Sequence, residues 1–230
     1  MATTTWNTTA SRAGWNVVSR EVARKLTVEW IGTFFLVFTV GAAVRSGSSL
    51  APVAIGAVLM VMVYAGGHIS GGHYNPAVTM AALVRGRIGL TMAGGYWISQ
   101  LVAGLLGALV VRAVVSPGQV HQLSPSGHLL ASALVVELLF TFALAYVVLN
   151  VATSADHPNN SFYGLAIGFT VAAGAIAAGG ISGGAFNPAV VLGGTVMGLF
   201  APITLVYVIA ELLAGAAAGF AFRALNPNDR

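Results

Sequence analysis

His68-Ile-Ser-Gly-Gly-His-Tyr-Asn75-Pro76-Ala77-Val78 returns as Gly180-Ile-Ser-Gly-Gly-Ala-Phe-Asn187-Pro188-Ala189-Val190, with the two asparagines 112 residues apart in a chain of 230. Asn is a good helix N-cap, and Pro suits the first helical position because its missing N–H is not needed there. Each Asn-Pro opens an apolar piece, about 75–85 and 187–198. Roughly ten residues at about 1.5 Å each make ~15 Å, half of a ~30 Å hydrocarbon core. Gly71-Gly72 and Gly183-Gly184 precede the caps and permit sharp turns. The two pieces therefore read as re-entrant half-helices whose N-termini start near the membrane midplane. Irregular backbone at that depth is tolerated only when it is buried in protein or lines a wet cavity.

The surroundings agree with a lipid solvent. Charged residues make up 7% of the chain, against about 25% for a soluble domain, and the mean hydropathy is +0.86. Most of the ten basic residues sit at the edges of apolar runs, a membrane-surface fringe rather than a nucleic-acid footprint. With no cysteine, disulfides and thiolate metal sites are excluded. Residues 1–20 are polar and Ser/Thr-rich and lack the apolar core of a cleaved signal.

Six apolar runs are long enough to span: roughly 26–45, 50–69, 91–115, 129–152, 162–181 and 201–223. Short polar connections join them, including Arg45–Ser49, Ser116–Gly127 and Ser154–Ser161. The duplication extends through the spans. Residues 53–78 align without a gap to 165–190 with thirteen identities; Val28-Glu29 pairs with Val136-Glu137, and Tyr96 and Gln100 pair with Tyr207 and Glu211. Each half thus holds three spans and one half-helix. An odd span count inverts the second copy in the membrane. The expected organisation is an all-α membrane protein. It has an N-terminal tail 1–20, one channel domain 21–225 (repeats about 21–115 and 129–225), and a C-terminal tail 226–230. With the N-terminus inside, eight basic residues fall on the cytoplasmic side and two, Arg45 and Arg112, on the other, which favours cytoplasmic termini.

Inversion points the half-helices at each other, so two positive dipole ends meet near the midplane. Each Asn side-chain oxygen caps its own helix and leaves its NH2 to face the gap. The expected constriction has two amide donors and apolar walls. A neutral molecule with a lone pair accepts and moves on, whereas a cation meets positive dipole ends with no carboxylate to offset them. A central water that accepts from both amides is turned away from proton relay.

On both Asn-Pro-Ala motifs, the His68-Ile-Ser-Gly-Gly-His approach, and Glu29 and Glu137, the chain resembles the aquaporin, or major intrinsic protein, family over residues 22–225. The resemblance implies six transmembrane helices in a right-handed bundle with a pore per subunit, a homotetramer in the cell membrane, and Asn75, Pro76, Ala77, Asn187, Pro188 and Ala189 at the pore constriction. It also implies that Glu29 and Glu137 accept hydrogen bonds from the loop backbones near His68–Gly72 and Gly180–Gly184, and that His68 lines the inner vestibule and supports the loop. The departure lies in the outer filter, where most relatives carry Arg after the second motif and this chain carries Val190. Carried over by distance from the motifs, the other filter positions are Ile55, Ala175 and Gly184. That set is small and apolar. It implies a wider mouth passing water together with glycerol, urea, ammonia or hydrogen peroxide, unless Phe186 or Tyr74 refills the space.

Other readings are weaker. An ion-coupled secondary transporter would normally need a charged residue beside the half-helices, and neither Asn-Pro-Ala has one adjacent. A low-permeability structural protein of the same fold is the other alternative. No nucleophile–base set suggests an enzyme. No cofactor is expected, and His68 and His73 are too isolated in sequence for a metal site. His73 reads as a loop residue bonded locally, and His121, His128 and His157 as loop surface. Glu211 stands where the first repeat has Gln100, as a polar group in the bundle with no role assigned.

Overall fold

The computed structural model describes the backbone of residues 8–116 and 121–229, and side chains from residue 19 onward. Residues 117–120 of the third connection, the start of the tail, the Arg12 side chain and Arg230 lie outside the described residues. The order is α1 (Thr8–Arg45), α2 (Ala51–Ser70), α3 (Pro76–Arg85), α4 (Leu90–Val114), α5 (Gly127–Thr153), α6 (Tyr163–Ser182), α7 (Pro188–Val196) and α8 (Tyr207–Leu225). A 3-10 turn, Pro202–Val206, leads into α8. Six segments are long and apolar enough to cross a membrane, from Ser19–Arg45 to Pro202–Leu225. At ten and nine residues, α3 and α7 are half-spans. The helix of α1 begins at Thr8 and so runs into the stretch read as a tail.

Sequence chemistry explains where the elements stop. α2 and α6 both end on a left-handed glycine, Gly71 (φ 92°) and Gly183 (φ 90°), a conformation that costs glycine little. Asn75 and Asn187 then adopt extended backbone and accept from the N–H of Ala77 and Ala189 at 2.8 and 2.9 Å. Both half-helices start with the cap that their Asn-Pro implied.

Lipid tails are as apolar as the side chains, so close packing rather than hydrophobic burial holds such helices together. The pairings are reciprocal between the repeats. α7 packs on α4, where Gly104 faces the Ala189 carbonyl, and α3 packs on α8, where Gly215 faces the Ala77 carbonyl. α2 and α6 cross at Gly56 and Gly168, each lying against the other's carbonyl. The alanine of each Asn-Pro-Ala is thus seated against a glycine on the third span of the opposite repeat. Phe169, Ile176, Ile209, Leu213 and Phe220 point outward from the single chain, where lipid or another subunit can cover them.

The exit of α3 is pinned. The buried Arg85 guanidinium stacks on Phe222 at 4.2 Å and donates to Asp229 Oδ1 at 2.6 Å, while Asp229 Oδ2 accepts from Ala155 N at 2.8 Å. A cation at this end also suits the helix dipole. The Ala155 N–H, and then Arg85, hold the Asp229 carboxyl below its ordinary value.

Gly215→Val would drive a branched side chain into the Ala77 backbone. Overpacking of this kind costs about 1–3 kcal/mol. A fall in the thermal unfolding midpoint in detergent is expected, and an unchanged midpoint would contradict the seating described.

Candidate permeation site

Two irregular stretches, 71–75 and 183–187, enter the interior with their N–H groups outside any helix. An unpartnered N–H there would cost about 1–3 kcal/mol. Glu29 of α1 removes that cost in the first repeat: Oε1 accepts from Ser70 Oγ (2.7 Å) and His73 N (2.9 Å), and Oε2 from Tyr74 N (2.7 Å) and Gln100 Nε2 (2.8 Å). Glu137 of α5 does the same in the second, accepting from Ser182 Oγ, Ala185 N (3.0 Å) and Phe186 N (2.7 Å). Both glutamates are fully buried. The N–H groups they hold lie just after the stretches anticipated near His68–Gly72 and Gly180–Gly184, because the αL glycines turn the chain before the carboxylate is reached.

The carboxylates also hold strain. Tyr74 and Phe186 both sit at φ 49°, an uncommon region for bulky residues that costs of order 1–3 kcal/mol. Their N–H groups are the ones bonded to the second glutamate oxygens. The Tyr74 hydroxyl adds a bond to the Met62 carbonyl at 2.9 Å, and the Phe186 ring packs on Phe140.

The strained residues turn their carbonyls toward the opposite motif. Asn75 Nδ2 donates to the Phe186 carbonyl at 2.8 Å, and Asn187 Nδ2 donates to the Tyr74 carbonyl at 3.0 Å. Sequence reasoning left each NH2 free to face the gap; one N–H of each is instead spent tying the two loops together. The second remains as a donor, since an amide NH2 carries two.

Asn75 and Asn187 border a cavity of about 370 Å³ that also touches Ile55, Ala175, Gly184 and Val190. The four positions expected to form the outer filter therefore border one space. Tyr74 and Phe186 are not on its wall; Phe200 and His121 are. His121 is exposed, as expected of a loop residue, and also borders the cavity. It reaches the mouth because Leu123 bridges to Phe200 in a short strand-like contact, with Leu123 N to Leu199 O and Ala201 N to Leu123 O both 2.9 Å. Nothing in the spacing of motifs signals a contact between two loops 77 residues apart. A second, more polar cavity on the face bearing Lys25 and Arg87 reaches His73 and Ser70. His68 belongs to neither cavity. It is exposed in the last turn of α2 and makes no hydrogen bond to the loop, so the loop support expected of it falls to Ser70 and His73. The His73 ring bonds to Thr79 Oγ1 at 3.1 Å. No group of three potential metal ligands occurs among the described residues.

Two capped half-helices tied tip to tip inside six spans define a membrane channel built from an inverted repeat. Residues 16–222 match the family described as Major intrinsic protein. The chain is 37% identical over 221 residues to "Glycerol uptake facilitator protein-like 6" of Lactiplantibacillus plantarum, covering 90% of this chain and all of that protein. It is 37% identical over 204 residues to "Aquaporin NIP1-4" of Oryza sativa subsp. japonica, covering 84% of this chain and 73% of the relative. Its fold resembles that of the aquaglyceroporin from Plasmodium falciparum, with TM-score 0.72, 22% identity, and coverage of 90% of this chain and 96% of the other. The chain belongs to the major intrinsic protein family.

Glu29→Ala leaves the His73 and Tyr74 N–H groups buried without an acceptor, at about 1–3 kcal/mol each. Thermal stability in detergent and water flux in proteoliposomes are both expected to fall. Wild-type values for both would show that the carboxylate does not hold the loop.

Proposed function

We propose that the protein is a passive channel for water and small neutral solutes such as glycerol. The observation that carries this reading is the cavity beside Asn75 and Asn187. Its walls are mostly aliphatic, and no Asp, Glu, Lys or Arg among the described residues is on them. A solute there finds amide donors and shape, and no fixed charge to grip an ion. The positive ends of α3 and α7 oppose cations and protons at the constriction. The rival coupled-transport reading lacks a carboxylate on this wall.

Solute breadth follows from the filter. Val190 puts a short apolar side chain where most of the family has a guanidinium, and Ala175 and Gly184 add almost no bulk. The mouth then selects weakly against a three-carbon polyol, in keeping with the name of the glycerol-facilitator relative. Urea, ammonia and hydrogen peroxide are expected on the same grounds. Cytoplasmic termini accord with the eight-to-two distribution of basic residues. A homotetramer, each subunit with its own pore, accords with the exposed apolar faces of α5 and α8, where Leu134, Leu138, Ile209 and Leu213 line a shallow groove.

Val190→Arg and Ala175→His, singly and together, narrow the mouth and add donors. An added barrier of ~1.4 kcal/mol lowers a rate about tenfold. Stopped-flow light scattering on proteoliposomes should show glycerol flux falling by about that factor while water flux falls much less. Equal glycerol-to-water ratios in wild type and both variants would remove these positions from the filter.

A further inference from the structure

The two repeats support their loops with one unequal partner. In the first, four donors converge on one carboxylate: Ser70 Oγ, His73 N, Tyr74 N and Gln100 Nε2 all point at Glu29. In the second, Glu137 receives three, from Ser182, Ala185 and Phe186. The place of Gln100 is taken by Glu211, fully buried, whose Oε1 accepts the next N–H along, that of Asn187, at 2.8 Å. Ala185, Phe186 and Asn187 thus give three consecutive N–H groups to two carboxyl groups, which lie in side-chain contact with each other.

Among the described residues no cation pairs with the second acid. Glu211 Oε2 is buried without a partner, and the hydroxyls of Tyr207 and Thr141, one turn away on α8 and α5, are in the same condition. Glu137 is the titratable group facing Glu211, and both acids lie near the Tyr207 hydroxyl. Like-charged carboxylates at contact in a buried site cannot both stay ionised. Glu137, with three donors, is the better-solvated anion; Glu211 has one.

We propose that Glu137 and Glu211 hold a single proton between them, carried on Glu211 Oε2 and donated to Glu137, and that protonated Glu211 is a positioning residue for Asn187. Its acid O–H then does what the Gln100 amide does toward Glu29, and its carbonyl oxygen takes the Asn187 N–H. Both repeats end with one negative charge behind the loop. Loss of the proton sets a second charge directly behind a pore asparagine, where it offsets the positive end of α7 and favours cations.

Infrared spectroscopy of the full chain in D2O, in a detergent without ester groups, reads this directly, because a protonated carboxyl has a carbonyl stretch separate from carboxylate and amide bands. At neutral pH, wild type should show an acid band, and Glu211→Gln should abolish it. Gln100→Glu builds the same acid pair in the first repeat, and should add a second acid band of similar size. An absent band in wild type, a band that survives Glu211→Gln, or no added band in Gln100→Glu would each overturn the proposal. If Glu211→Gln fails to assemble, the wild-type and Gln100→Glu spectra still decide it. The spectrum does not depend on which solute permeates, so its outcome is separate from that of the channel reading.

Discussion

Two buried carboxylates make an otherwise forbidden backbone possible. Halfway through a membrane, a chain outside a helix has no water to satisfy its N–H groups. Glu29 and Glu137 supply the acceptors from neighbouring spans, at 2.7–2.9 Å and 2.7–3.0 Å to the loop N–H groups. Because they hold the N–H of Tyr74 and Phe186, they also maintain the two strained residues that aim carbonyls across the midplane. The crossed bonds from Asn75 and Asn187 depend on that aim. Without the carboxylates, the crossed bonds lose the backbone that aims them.

Packing and permeation are connected through the same residues. Ala77 and Ala189 fit against Gly215 and Gly104 of the opposite repeats, so each half-helix is anchored by the repeat it does not belong to. The asparagines that cap these helices are then fixed at the wall of a mostly aliphatic cavity. Apolar walls do not compete with the amides for a passing molecule, which keeps each binding event weak enough to be left again.

Much of this was legible in the chain because the relevant signals are local or duplicated. Apolar runs mark spans, Asn-Pro marks a capped start, and a doubled motif after an odd number of spans marks inversion. Glu29 and Glu137 stood out as acids in apolar helices. Less legible was anything decided by two distant segments meeting. His121 reaches the pore mouth only through the Leu123–Phe200 bridge. His68 resembled a loop support, yet it makes no hydrogen bond to the loop, and Ser70, two residues on, contacts Glu29. The amide bonds from each Asn to the other loop require the strained φ values of Tyr74 and Phe186, which no residue preference announces. Glu211 looked unexplained because its partners, Glu137 and Asn187, lie 74 and 24 residues away in sequence.

A high-resolution map of the protein in lipid nanodiscs tests the central claim most directly, since it images the loop tips and the water together. The account requires Asn75 and Asn187 within reach of each other's loops, and a continuous file of water passing their free amide hydrogens. Loop tips drawn apart, or a dry plug between the two cavities, would contradict it.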